Sequence, residues 1–397
     1  MRFDYGPFDG KPFLGPDDLF PPPQLARFIL QHGQAALDHL DQGDEDDQRQ
    51  ELVRQLIEAG LLERDPATGE LRLTPRMLSG LEHRAFMEIF AGLRRGALEG
   101  HSVQAPGRSD ERTDGLKPYE FGDPLSEIDP GATLRHALTR QPRLPSPGPD
   151  GRTRLGVRSD DFQLHLNEGQ ADCATCILLD QSGSMMRFGR FYHAKRVALG
   201  MAAMVRKRYP RDTLAFAGFH SLASPLPERE LPLAMPKPVT LYEHQVRLRI
   251  PLQQAQDHPT RIPQHFTNLQ MGLRVARSLL ARTGAANKQI FIITDGQPTA
   301  HIEASPSDGQ DVLHLLYPPS PRTTDLTLQE AFRCRREGIR IASFALIEGY
   351  DGMEWVGFIE QLTRLTRGSA FYCAGEELGS LIIESYASGR KRKSYSP

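Results

Sequence analysis

The chain has 397 residues, 39% of them hydrophobic and 25% charged, with 48 Lys+Arg against 50 Asp+Glu for a formal charge of −2. That length and mix predict two or three soluble domains with an unstapled core, and the balanced charge argues against holding nucleic acid by a basic surplus. No apolar run nears the ~20 residues of a membrane span, the opening MRFDYGPFDGKPF lacks a charged-then-apolar leader pattern, and four Cys make no disulfide framework, so a cytoplasmic protein is expected.

Residues 1–24 are rich in Gly and Pro and end near Pro21-Pro22-Pro23, which predicts an extended arm. Residues 25–100 predict a mainly helical module. Leu25, Phe28, Ile29, Ala36, Leu37 and Leu40 fall at helical spacing, interrupted near Gly33. The acidic run Asp44–Asp47 precedes a second apolar face of Leu52, Val53, Leu56 and Ile57, where negative charge suits a helix start. Gly60 stops that helix. A turn at Asp65–Gly69 joins two short strands, and Thr74-Pro75 reads as an N-cap with Pro in the first helical position. Helix, hairpin and helix resemble a winged-helix unit, although the segment carries no basic surplus. Residues 101–169 predict an irregular connector packed on the domain that follows, with one short helix around Ala132–Thr139.

From 170 to 390 short apolar runs alternate with amphipathic helices. Strands are predicted at Ala174–Leu179, Thr213–Phe219, Gln289–Thr294, Arg340–Ile347 and Ala370–Cys373. Helical faces run through Phe191–Val205, Leu269–Leu280, Leu328–Glu337, Trp355–Thr366 and Glu377–Ser388. This alternation predicts an α/β fold with a mostly parallel sheet covered on both faces. The segment His220–His265 is longer than a simple connection and is expected to add a strand pair around Val239–Leu252. A basic tail occupies 391–397, following Arg390.

Ligands of such sheets bind at the carboxyl ends of the strands. There the first strand carries Asp180-Gln181-Ser182-Gly183-Ser184-Met185, one carboxylate and two hydroxyls at alternate positions of a turn. Hard oxygen groups of this kind suit Mg²⁺. Thr267-Asn268 opens a later helix, and Thr294-Asp295-Gly296 closes a later strand. Together these three segments resemble the von Willebrand factor A (VWA) domain and its metal-ion-dependent adhesion site, over roughly residues 170–390. The resemblance implies a Rossmann-like domain in which Ser182, Ser184 and Thr267 hold Mg²⁺ (Mn²⁺ or Ca²⁺ as alternatives), with Asp180 and Asp295 acting mostly through water. It implies further that Gln181, Gly183, Met185, Asn268 and Gly296 line the partner surface, and that the ion attracts an acidic residue of a protein partner.

The stretches Arg112–Pro124, Ile262–Asn268, Thr294–His301 and Leu316–Pro319 resemble bacterial proteins related to the VWA subunit of magnesium chelatase. Such proteins are commonly encoded beside MoxR-like or chelatase-like AAA+ ATPases. The resemblance implies a non-catalytic, metal-dependent adaptor working with such an ATPase in complex remodelling or metal insertion. The alternative is a DNA-binding or regulatory protein using the N-terminal module. No Gly-rich phosphate loop, no His-Glu-x-x-His and no His base spaced beside Ser182 or Ser184 is present. Cys173-x-x-Cys176 has no second pair, so all four thiols are expected to be buried. His265 and His301 flank the site segments and read as supporting or surface histidines.

Overall fold

The structure is a computed structural model and describes residues 22–41, 47–96, 116–119, 128–140, 157–165, 173–285, 287–307, 309–346 and 353–390. Residues 1–21 of the arm predicted over 1–24, the acidic residues 44–46 and the tail 391–397 lie outside these residues, while Pro23 and Gln24 already belong to the first helix.

The chain forms two compact units, one from 1–101 with 171–397 and one from 102–170. In the larger unit α1 (Pro23–His32) begins on a proline and turns sharply into α2 (Gln34–Asp41). Gly33 makes that turn because its φ is +57°, and because an added Cβ would lie 2.4 Å from the Leu233 carbonyl oxygen. Next come α3 (Asp47–Glu58), the hairpin β1 (Leu62–Arg64) and β2 (Leu71–Leu73), and α4 (Pro75–Gly96). Asp65 shapes the hairpin by accepting from Ala67 N at 2.8 Å. Thr74 caps α4, its Oγ1 accepting from Met77 N at 3.2 Å. α4 lies against the domain that follows: Ile89 Cδ1 would be 2.5 Å from a Cβ at Gly200, so the Ile89 side chain rests directly on the backbone of the helix Arg190–Arg208 there.

The smaller unit contains β3 (Leu116–Pro118), α5 (Pro130–Arg140) and β4 (Gln163–His165), with β3 and β4 antiparallel. Asp129 caps α5 by accepting from Ala132 N at 2.9 Å. Asp161 accepts two bonds from Arg140, at 2.8 and 2.6 Å, and one from Arg158 N at 2.8 Å.

The C-terminal region of the larger unit runs β5 (Cys173–Asp180), α6 (Arg190–Arg208), β6 (Thr213–Phe219), β7 (Ala223–Pro225), β8 (Val246–Pro251), α7 (Leu252–Asp257) and α8 (Leu269–Ala281). It continues with β9 (Asn287–Thr294), β10 (Ala300–Ala304), β11 (Asp311–Tyr317), α9 (Pro321–Arg336), β12 (Ile339–Leu346), α10 (Met353–Thr366), β13 (Ser369–Cys373) and α11 (Leu378–Arg390). Six strands form one sheet in the order β13-β12-β9-β5-β6-β7, parallel except for β7 at the edge. Every residue of the central strand β5 is buried, as a strand covered on both faces requires. On one face a continuous apolar core joins α6 and α11 to α1–α4. The other face packs on α8, α9 and α10.

β8 differs from expectation. The segment 239–252 holds one strand, not a pair, and that strand joins β10 and β11 in a second, antiparallel sheet of order β10-β11-β8. Its partner is β11, distant in sequence, which local pattern could not reveal. A small core of Leu222, Val246, Phe266, Ile302, Leu313 and Leu315 lies under this sheet.

Candidate functional site

The main sheet reverses its winding between β5 and β9, so the loops leaving those two strands flank one crevice. β5 ends in Asp180 and β9 in Thr294, followed by Asp295. Asp180 is fully buried. Its Oδ1 accepts from Ser182 N at 2.8 Å, and its Oδ2 from the Thr294 hydroxyl at 2.6 Å. These two bonds fix the start of the loop. The Ser182 and Ser184 hydroxyl oxygens then lie 3.1 Å apart, and Ser184 Oγ donates to Asp295 Oδ1 at 2.7 Å. Four of the five expected oxygen residues are thus joined in one hydrogen-bonded chain.

The fifth, Thr267, is buried on the neighbouring segment. That segment is tied to the loop through Gly183 N, which donates to the His265 carbonyl at 3.1 Å. Thr267 is clamped at its backbone: its N–H donates to Thr299 Oγ1 at 2.8 Å, and its carbonyl accepts from Thr299 N at 3.0 Å and Ala300 N at 3.1 Å. Gly183 is required sterically, since a Cβ there would lie 2.6 Å from Val239 Cγ2.

The partner-facing roles expected for Gln181, Gly183, Met185 and Asn268 need correction. All four are buried. Met185 points into the core beside α6. Asn268 caps α8, accepting from Met271 N at 3.0 Å and donating to the Ser221 carbonyl at 3.0 Å. Gln181 lies over Gly218, and its Nε2 donates to the Met235 carbonyl at 3.4 Å. Of the five expected surface residues, only Gly296 is partly open. The exposed apolar groups on the loop are instead Met186, 55% accessible, and Phe188, 66% accessible.

Arg190 was not anticipated. Its Nη1 donates to Asp295 Oδ2 at 2.6 Å, while its Nε is buried without a hydrogen-bond partner. The available signal was its position: a cation in the first turn of α6 opposes the helix dipole, so its place there needs a nearby anion. Burial, and then the negative charge of Asp295, push the Asp180 carboxyl well above the usual carboxylate range. The crevice therefore sets two buried carboxylates against one guanidinium, a donor set that fits a hard divalent cation. His265 has a supporting role, as expected, with its Nδ1 facing Thr240 N at 3.3 Å. His301 lies on β10 and is buried. The four thiols are buried, and burial pushes those of Cys176, Cys334 and Cys373 up to about 12, leaving them unreactive at neutral pH.

Sheet order and switch-point loop together define a von Willebrand factor A domain, preceded by a helical region. More narrowly, the chain belongs to the Rv0959-like proteins: the family's vWA-domain model matches residues 173–387, and its third-domain model matches 111–166. The chain is 28% identical over 346 residues to the protein Rv0959 of Mycobacterium tuberculosis (strain H37Rv), covering 86% of this chain and 45% of that one. Mb0984 of Mycobacterium bovis matches equally. The chain thus spans about half the length of the curated relatives it matches. Solved structures with a similar fold include the vWF domain of the type V pili tip protein Mfa5 from Porphyromonas gingivalis. That match has 13% identity and a TM-score of 0.37, covering 57% of this chain and 99% of that one. The SpRpn10 VWA domain matches at 11% identity and a TM-score of 0.32, covering 57% and 100%.

Proposed function

We propose that this protein is a non-enzymatic, metal-dependent protein-binding adaptor. Ser182, Ser184 and Thr267 would hold Mg²⁺, with Asp180 and Asp295 acting through water. The bound ion supplies an open coordination position for an acidic side chain of a partner. The observation that carries this reading is the buried pair Asp180 and Asp295, linked through Ser182 and Ser184 and balanced by one arginine. Asp180 orients the loop through Ser182 N, and Thr294 fixes Asp180. Arg190 holds one oxygen of Asp295 and leaves the other to Ser184. Because the direct ligands are hydroxyls, the site favours an added carboxylate. Similarity of the 112–124, 262–268 and 294–301 stretches to MoxR- and chelatase-associated proteins supports an AAA+ ATPase as the partner.

The charges on the N-terminal module do not favour the DNA-binding alternative. On α3, Arg54 pairs with Glu51 at 2.8 Å. On the hairpin, Arg64 pairs with Asp41 at 2.7 Å and Arg72 pairs with Asp65. Cations committed to carboxylates are poorly placed to neutralise phosphates. The deciding experiment is capture of a MoxR- or chelatase-type ATPase by the full chain with Mg²⁺ and with EDTA. Capture is expected to need Mg²⁺, and to fail in the Ser182→Ala/Ser184→Ala chain. Equal capture in EDTA would refute the mechanism.

A further inference from the structure

The antiparallel sheet carries a second cluster of metal-ligating side chains, of different chemistry from the loop site. In the β10–β11 ladder, His301 stands directly opposite His314. Glu303 is two residues beyond His301 and therefore on the same face. The two imidazoles stack with centroids 4.7 Å apart and planes 8° apart. One ligand atom from each of His301, Glu303 and His314 lies within 4.8 Å of the others.

The groups behind these side chains orient them as ligands. His301 is 2% accessible. Its Nδ1 is 2.8 Å from the Thr323 hydroxyl at the start of α9, which leaves Nε2 as the nitrogen facing Glu303 Oε2 at 3.9 Å. That is too long for a hydrogen bond. It is close to the roughly 3.3 Å that separates two ligands of a tetrahedral zinc ion with bonds of about 2.05 Å. Glu303 divides its two oxygens: Oε1 accepts from Arg322, with Nε at 3.2 Å, and Oε2 turns toward the histidines. An imidazole anchored at its other nitrogen and a carboxylate anchored at its other oxygen are the supports that metal ligands usually have.

We propose that His301, Glu303 and His314 form a binding site for Zn²⁺ or a similar borderline divalent ion on the antiparallel sheet, separate from the loop site. Three protein ligands leave one position open, the pattern of an exchangeable rather than a closed structural site. The charges around the cluster select the ion. The cations facing the cluster are Arg322, which is bound to Glu303, and Arg249, the cross-strand partner of His314. Their positive field disfavours a hard ion held mainly by charge, and favours one with strong nitrogen affinity. Occupancy would tie β10, β11 and α9 together.

The test uses the full chain, stripped with chelator and titrated with Zn²⁺ in excess Mg²⁺, with bound metal measured by mass spectrometry. Co²⁺ replaces Zn²⁺ in a parallel series read by its visible absorption. The wild-type chain should retain about one Zn²⁺ at micromolar concentration and show the intense bands of four-coordinate Co²⁺. Glu303→Gln and His314→Ala, both at partly exposed positions, should weaken Zn²⁺ binding at least about 100-fold and bleach the Co²⁺ bands. Thr323→Val should weaken it by about 10-fold. Glu360→Gln, at an exposed position of α10, should leave both readouts unchanged. Failure of the wild type to retain zinc, or undiminished binding in folded Glu303→Gln and His314→Ala chains, would overturn the proposal.

Discussion

The two sheets of the C-terminal region assemble their polar clusters by different rules. On the parallel sheet, oxygen groups from two loops far apart in sequence meet because β5 and β9 are neighbours, and the Thr267 segment is tied to them through Gly183 N. On the antiparallel sheet, two imidazoles and a carboxylate meet by ladder register, directly across or two residues along. The first arrangement puts donors on turns at strand ends, where Ser184 is partly open while Asp180, Ser182, Thr267 and Asp295 are buried. The second puts them on a rigid ladder, which holds side-chain spacing but makes less room for a macromolecule. On the proposed readings, the parallel sheet would present an ion to a partner and the antiparallel ribbon would hold one. The two are physically linked, because Thr299 and Ala300, where β10 begins, bind the backbone of Thr267.

The largest way to break this comparison is to remove Arg190. It is 9% accessible and pairs with a buried Asp295 carboxylate. Breaking a buried pair from one side typically costs about 3–5 kcal/mol. Arg190→Met should destabilise the chain by about that much in EDTA, and Mg²⁺ should restore part of it. Denaturant melts with and without Mg²⁺ check this, and a loss that Mg²⁺ leaves unchanged would separate Arg190 from the ion site. Next comes partner binding. Truncating one side of a desolvated charged contact costs about 2–5 kcal/mol, or roughly 30–5,000-fold in affinity. Ser182→Ala/Ser184→Ala should show that loss toward the ATPase, while His314→Ala should not.

A smaller effect lies beneath the loop. Lys195 on α6 is fully buried, its Nζ donating to the Pro232 carbonyl at 2.9 Å, and burial pushes its ammonium down to about 7. An unfolded lysine titrates near 10.4, so between about pH 7 and 10 the unfolded chain binds the extra proton. Stability should therefore rise with pH across that window, by at most about 1.4 kcal/mol per unit. Below the folded value both states hold the proton, and this contribution levels off. Thermal melts of Lys195→Met should lack this slope; an unchanged slope would assign it to other groups. The smallest effect sharpens the other side of the comparison. Ser320 caps α9, its Oγ accepting from Arg322 N at 3.2 Å. Ser320→Ala should cost about 1 kcal/mol in a denaturant melt and leave Mg²⁺ affinity untouched.

Much of the architecture is legible in the sequence. Apolar runs such as Cys176–Leu179 and Ile290–Ile293 sit on central strands because a doubly covered strand has no solvent face. The break at Gly33, the hairpin at 65–69 and the Thr74 cap follow from local chemistry. The grouping of Asp180, Ser182, Ser184 and Asp295 was legible through the resemblance of three separated segments to a VWA domain; the Asp180–Ser184 turn alone would equally suit an ordinary helix start. The partner β8 takes was not legible, because strand pairing across sixty residues leaves no local period. Nor was the burial of Met185 and Asn268, which depends on what packs over a loop rather than on the loop itself.

The sequence alone determined the alternation of strands and helices and the turns that end them, because periodicity, capping and φ preferences act over a few residues. Tertiary structure decided the rest. It set which strand ends became neighbours and brought Arg190 onto Asp295. It also placed His301 across from His314, a register fixed by burying Ile302, Leu313 and Leu315 on the opposite face. Those outcomes rest on contacts between segments distant in the chain, whose geometry exists only once the core has closed.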